Sequence, residues 1–326
     1  KANRKAVWSF WIFTFLFVIS LFAEFVANDK PLLVSYDSEL YFPVFKSYPE
    51  TAFGGEFETE TEYTDPFVQE LINEKGWILF PPVAYDHQTV INNLPGPAPS
   101  APTSQNWFGT DEQGRDLFAR ILYGFRLSVL FGFTLTIASA IIGVAAGAVQ
   151  GYYGGWLDLV FQRFMEVWGS MPQLFILIIL SSIVQPTFWI LLFYMLLFSW
   201  MGFVGVVRAE FFRCRNFDYV KAAKVMGMSD SRIMFRHVLP NAMVATMTFF
   251  PLVLSGSITA LTSLDFLGFG LPPGSASLGE VLAQGKNNLQ APWLGLSAFA
   301  AVGIMTVLLV FVGEGVRDAF DPRKAY

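Results

Sequence analysis

The chain is poor in the groups that most enzyme chemistry requires. Among 326 residues it has two histidines, His87 and His237, and one cysteine, Cys214. No disulfide can close within it, and the lone thiol reads as inert. No His-Glu-x-x-His pattern or His-rich cluster offers a metal site, and no Gly-x-Ser-x-Gly turn offers a nucleophile. The phosphate-cradling pattern G-x-x-x-x-G-K-[S/T] does not occur, so the chain is not itself an ATPase. Gly268-Phe269-Gly270 follows a long apolar run, without the strand that a dinucleotide site needs. Charge is scarce too, at 14% of residues with a net −5, which leaves nucleic-acid binding without support.

What abounds is apolar surface. A hydrophobic content of 54% and a mean hydropathy of +0.47 are too high for a soluble chain of this length. Six weakly charged runs cover residues 8–23, 127–149, 159–184, 187–207, 241–264 and 293–313. About 20 helical residues cross a bilayer core of roughly 30 Å, so the pattern predicts an all-α integral membrane protein with six transmembrane helices. Ala23-Glu24-Phe25-Val26-Ala27-Asn28 is a poor cleavage site, so the first run is read as a retained span and not a signal peptide. The expected divisions are an N-terminal transmembrane helix (1–26), an insertion (27–106) and a five-helix core (107–326) that includes the loop 208–240.

Basic residues orient the spans. Lys1, Arg4 and Lys5 precede the first, and Arg208, Arg213, Arg215, Lys221, Lys224, Arg232 and Arg236 lie between the fourth and fifth, whereas the 265–292 connection has only Lys286. The positive-inside rule then puts both termini and the 208–240 loop in the cytoplasm.

The insertion falls on the extracytoplasmic side. From 28 to 106, twelve acidic residues against three basic ones leave a charge of −9. Apolar residues alternate on both sides of Asp37-Ser38 as in a hairpin. Asp65-Pro66 opens a short helix ending near Gly76, and a proline-rich linker, residues 96–102, leads back to the membrane. A small α+β subdomain is expected. Its charge either steers a basic partner or cationic substrate, or serves only to keep the subdomain soluble.

The 208–240 loop holds Ala222-Ala223, then Gly227, then His237-Val238-Leu239-Pro240. Ala223 and Gly227, four apart, would share a helix face open to close approach, and Pro240 suits the first turn of the next helix. The bland reading is a basic loop beside the membrane. The spacing resembles the "EAA" loop of permease subunits in ATP-binding-cassette importers, except that Lys221 stands where the family carries Glu. Further along the chain, Gly109-Thr110-Asp111 with Gly114-Arg115-Asp116 resembles the G-T-D-x-x-G-R-D signature of dipeptide/oligopeptide permeases. Gly151-Tyr152-Tyr153-Gly154-Gly155 with Asp158, Arg163 and Glu166 fits the same family, as do the 264–270 segment and Arg317-Asp318-Ala319-Phe320-Asp321-Pro322-Arg323. The acidic insertion resembles that of the second permease in Yej-type systems, a subgroup that imports peptides and the peptide-nucleotide microcin C.

That resemblance implies the type I importer permease fold and an ATP-driven peptide importer. It implies as partners a second homologous permease, ABC ATPase domains that bind ATP and Mg, an extracytoplasmic solute-binding protein and the lipid bilayer of the bacterial inner membrane. No cofactor is implied in this chain. The ATPase-coupling residues would be Asp218, Tyr219, Lys221, Ala222, Ala223, Gly227, Met228, Asp230, His237, Leu239 and Pro240. Thr248, Ser255, Thr259 and Thr262 of the polar fifth span are candidates for the translocation path. Arg115 and Asp116 are expected to grip the partner subunit from a surface helix starting at Leu117. Arg163 and Glu166, three apart, can pair as a clamp or meet substrate. Ser139, Gly143 and Gly147 read as a close-packing face. The competing functions are a secondary transporter, which would need a mid-membrane ionisable relay, and a membrane-anchored sensor, which leaves five spans unexplained.

Overall fold

The structure, a computed structural model, describes residues 4–320. Lys1 and the Asp321-Pro322-Arg323 end of the last motif lie outside the described residues. In chain order the elements are α1 (Arg4–Leu21), β1 (Leu33–Tyr36), β2 (Glu39–Tyr41), α2 (Pro66–Lys75), β3 (Gly76–Leu79), α3 (Leu117–Tyr153), α4 (Gly155–Gly169), α5 (Gln173–Ile183), α6 (Phe188–Ser199), α7 (Met201–Cys214), α8 (Asp218–Val225), α9 (Asp230–Ile233), α10 (Leu239–Phe266), α11 (Leu278–Asn287) and α12 (Pro292–Phe320).

Among the described residues, four helical stretches are long and apolar enough to cross a membrane: Arg4–Leu21, Leu117–Tyr153, Asp230–Phe266 and Pro292–Phe320. The third and fourth sequence runs are bent pairs, α4 with α5 at 69° and α6 with α7 at 40°. Counting each pair as one span gives the six runs expected. The sharper bend sits at Pro172, whose ring cannot continue a helix and biases the residue before it away from helical angles. The second run is also longer than expected. Leu117 does not begin a separate surface helix; it opens the single 37-residue α3.

Two compact units result. Of the described residues, one comprises 4–14, 128–272 and 303–320, the other 15–127 and 273–302. In the first unit, α3 packs closely on α6 and α7. A Cβ added at Gly143 would lie 2.5 Å from the Trp200 carbonyl oxygen, and one at Gly147 would lie 2.8 Å from that of Val204. The Ser139 and Ser199 hydroxyls meet at 2.6 Å along the same seam. The small-residue series is therefore a packing face.

In the second unit the insertion forms a three-stranded antiparallel sheet ordered β2-β1-β3. Asp37 and Ser38 both take positive φ (49° and 68°), the turn that matches the twist of a two-residue hairpin. Asp65 caps α2, its carboxylate accepting from the Phe67 N–H at 2.8 Å. Strand β3, absent from the sequence reading, follows α2 directly. The inner sheet face buries Val34 and Tyr36 against Phe53, Tyr63, Val68 and Ile72. The insertion also packs with the start of α3: the Tyr123 hydroxyl donates to the Ala27 carbonyl at 3.0 Å. Residues 27–106 are thus not a body hung on the proline-rich linker alone.

Candidate functional site

The segment between the fourth and fifth spans is a compact cap. Helix α8 is amphipathic, with Val220 and Ala223 buried at 3% and 2% exposure. They enter one cluster with Tyr152 of α3, Phe211 and Cys214 of α7, Ile233 of α9 and Val238, and Met228 and Leu239 pack against it. The helix stops at Val225. The Met228 N–H donates to the Ala223 carbonyl and the Gly227 N–H to that of Lys224, both at 3.1 Å, while Gly227 adopts φ +78°. This is a Schellman ending, which favours glycine at that position. The expected small-residue face of Ala223 and Gly227 is therefore corrected: Ala223 faces the chain's own core, and Gly227 lies beyond the helix to meet a backbone requirement.

The remaining residues of the set tie the cap down or cover its outside. The Tyr152 hydroxyl donates to Asp230 at 2.6 Å, and Asn241 Nδ2 donates to the Tyr219 hydroxyl at 3.2 Å. Pro240 occupies the first turn of α10, and His237 Nε2 is buried with no hydrogen-bond partner among the described residues. Facing out are Lys221, Ala222 and Gly227, with Val225, Met226 and Phe235 exposed to 88%, 75% and 72%. Lys221 sits 3.6 Å from Asp218 in an i,i+3 pair open to solvent, where screening leaves the contact little weight in stability. Lys221→Glu turns it into a like-charge pair. We expect a melting temperature within about a degree of wild type and a reduction of a few-fold in transport, read by melting and uptake on the same preparation.

On α10 the hydroxyls of Thr248, Thr259 and Thr262 each donate to the carbonyl four residues back, at 2.9–3.0 Å. Thr262 and Ser255 are buried. This back-bonding is how a membrane helix satisfies such groups internally, and the four candidates share a face at spacings of seven, four and three residues.

In the second unit lies a buried ionic knot that the sequence did not reveal as one. Asp111 accepts from the Arg115 guanidinium at 2.6 Å and lies 3.4 Å from Arg120 Nε. Glu280 of α11 meets both arginines, at 3.2 and 3.1 Å. Arg120, fully buried, also donates to the carbonyls of His87 and Ser275. Asp116 accepts from Asn106 Nδ2 and the Ala119 N–H, and burial pushes its carboxyl up. Arg115 and Asp116 are therefore corrected as subunit-gripping residues: they are 3% and 0% exposed and held inside their own chain. Arg163 and Glu166 do pair with each other, at 2.5 Å and well exposed. A second pair went unread, Arg208 forking onto Asp158 at 2.5 and 2.7 Å. Its signal was Asp158 next to an apolar run, where an acid needs a partner.

In the insertion, Asp29 and Asp86 share the Thr89 hydroxyl, at 2.9 and 2.8 Å. Burial, and then the Asp86 charge, push the Asp29 carboxyl above its usual range. The folded state binds this proton more tightly than the unfolded chain, so its stability falls as pH rises between the two values. Asp29→Asn should therefore raise the thermal midpoint at neutral pH. The gain should vanish at about pH 2.5, more than a unit below the ordinary aspartate value of about 3.9, where the Asp29 carboxyl is protonated in the folded and unfolded chain alike. Melting curves at the two pH values check this.

Comparison with known proteins agrees with this architecture. Residues 139–326 match the family described as "Binding-protein-dependent transport system inner membrane component". The chain is 59% identical over a 350-residue alignment, covering all of it and 92% of the relative, to the "Peptidoglycan transport system permease protein YejE" of Agrobacterium fabrum. It is 58% identical over 325 residues to the "Inner membrane ABC transporter permease protein YejE" of Escherichia coli, covering all of this chain and 95% of that one. At 35% identity, 68% of this chain aligns with 77% of the oligopeptide transport system permease protein OppC of Lactococcus lactis. With its apolar helices and a family match over more than half its length, the chain belongs to the binding-protein-dependent transport system inner membrane components, as a multi-pass inner-membrane protein.

Proposed function

We propose that this chain is a permease subunit of an ATP-driven peptide importer, with both termini and the α8 cap in the cytoplasm. The observation that carries the coupling is the cap itself. Its inner face is locked into the helix ends by Val220 and Ala223, while Val225, Met226 and Phe235 stand in solvent. A short helix rigidly joined to two spans, with an apolar outer surface, transmits displacement from a docked ATPase to the membrane helices. Arg208–Asp158 and Tyr152–Asp230 join the same region to α4 and α3.

ATP and Mg are bound by the partner ATPase domains, and this chain performs no catalysis. A second homologous permease completes the path, to which α10 contributes Thr248, Ser255, Thr259 and Thr262. Arg163 and Glu166 lie on the surface available to that partner. A solute-binding protein delivers substrate beside the acidic insertion. The relatives' names, peptidoglycan and oligopeptide transport, and the resemblance of the insertion support oligopeptides as substrate, with peptide-nucleotides of the microcin C type in the same class. The complete complex in proteoliposomes tests the reading. Uptake of an oligopeptide should require ATP and loaded binding protein and survive a protonophore. Uptake driven by a proton gradient without ATP would establish secondary transport instead.

A further inference from the structure

The sheet of the insertion is apolar on both faces, and the protein covers only one. Alternation along the strands turns Val34, Tyr36 and Ile78 inward and sends Leu33, Leu40, Trp77 and Leu79 outward. The register sets Leu33 opposite Leu79, and Ser35 between Leu40 and Trp77. Leu40, Trp77 and Leu79 are 59%, 47% and 50% exposed. Phe42, one residue past β2 and on the Leu40 side, is exposed as well. A contiguous apolar patch of this kind on a polar subdomain marks a surface that something covers.

What covers it is indicated by where the patch leads. Phe15 and Val18 on the second half of α1, and Phe22 just past its end, recur every three or four residues as one exposed stripe. Phe25 continues the stripe, its ring 6.1 Å from that of Phe22 and 5.8 Å from that of Phe45. Phe45, 73% exposed, closes a turn back to Phe42, its N–H donating to the Phe42 carbonyl at 3.1 Å. One exposed apolar track thus runs from the first membrane span to the outer sheet face. Among the strand residues the one acid, Glu39, is in register with Tyr36 of the inner face. Glu56, Glu58 and Glu62 follow Phe53, which packs on the opposite, inner face.

We propose that the outer face of the sheet rests in the interfacial layer of the bilayer, anchoring the insertion to the lipid surface beside the first span. Tryptophan and phenylalanine suit that layer, and the attraction is burial of apolar area, because an insertion of charge −9 gains nothing from anionic headgroups. The anchored insertion keeps its acidic side toward water, at a fixed height above the membrane.

The test uses the full transporter in phosphatidylcholine nanodiscs, with the one native cysteine removed by Cys214→Ser. Spin labels are placed singly through Leu40→Cys and Trp77→Cys, with Phe15→Cys as a lipid-facing reference and Glu58→Cys as an aqueous one. Collisions with oxygen should exceed those with a water-soluble nickel chelate at 40 and 77, as at 15, and the order should reverse at 58. Nickel-dominated relaxation at 40 and 77 would overturn the proposal, and so would protection from both agents, which means a protein partner. A label-free measurement guards against perturbation by the probe. The emission difference between wild type and Trp77→Phe should fall by half or more when the lipid carries brominated acyl chains. An unchanged difference contradicts the anchor.

Discussion

Replacing Val225 and Met226 together by aspartate should release the ATPase and abolish uptake, while the protein still inserts and folds. Both side chains are almost fully exposed in the isolated chain, so the folded structure has little to lose by their removal. At a docked interface each apolar side chain of this size contributes about 1.5–3 kcal/mol on burial. Losing both, about 3–6 kcal/mol, weakens association by roughly 10²–10⁴-fold. Retention of the ATPase on the tagged permease, with a melting curve on the same sample, gives the result. Wild-type retention by the double variant would show that α8 is not the docking element. Ala223→Asp is the contrasting case: it puts a charge in the cluster with Phe211 and Val238 and should lower the amount of folded protein itself.

The second large effect is expected at Arg120. The side chain is fully buried, with Asp111 and Glu280 as ionic partners and the carbonyls of His87 and Ser275 as acceptors. Arg120→Met leaves two carbonyls without a donor and strips two carboxylates of one cation each. Breaking a buried pair from one side costs about 3–5 kcal/mol. Arg120→Lys should rescue little, because a point ammonium cannot span acceptors from three segments as the guanidinium fork does. Unfolding curves in detergent and the level of protein in the membrane both report it. A wild-type midpoint for Arg120→Met would mean that the knot contributes nothing to holding α11 and the 87–89 region against α3.

The expectations that succeeded were local. Each span is written in about twenty consecutive residues, Asp65-Pro66 writes the start of α2, and Asp37-Ser38 writes a hairpin turn. Features that depend on distant residues were not legible. Arg120 meets Glu280 across 160 positions of sequence, so nothing near Arg120 in the chain announces its partner. Strand β3 follows α2 without a turn residue to announce it, and only its pairing with β1 defines it. At α8 the error was one of register. Ala223 and Gly227 share a face only if the helix continues through 227, and the Schellman ending stops it at 225. Gly227 needed a left-handed backbone, a demand that resembles a small-residue face when only sequence is in view. Val225 and Met226 are exposed because Val220 and Ala223 take the buried side of the helix, a division set by packing partners distant in sequence.

The central claim is that the outer surface of α8 contacts an ATPase. A photocrosslinking amino acid at Met226, in the full transporter within native membranes, tests it most directly. The account predicts an adduct with a nucleotide-binding ATPase subunit that forms at Met226 and not at Trp77, and that the Val225→Asp variant weakens. Crosslinks at Met226 to lipid or to other proteins alone, with ATP-dependent uptake intact in the same membranes, would contradict it.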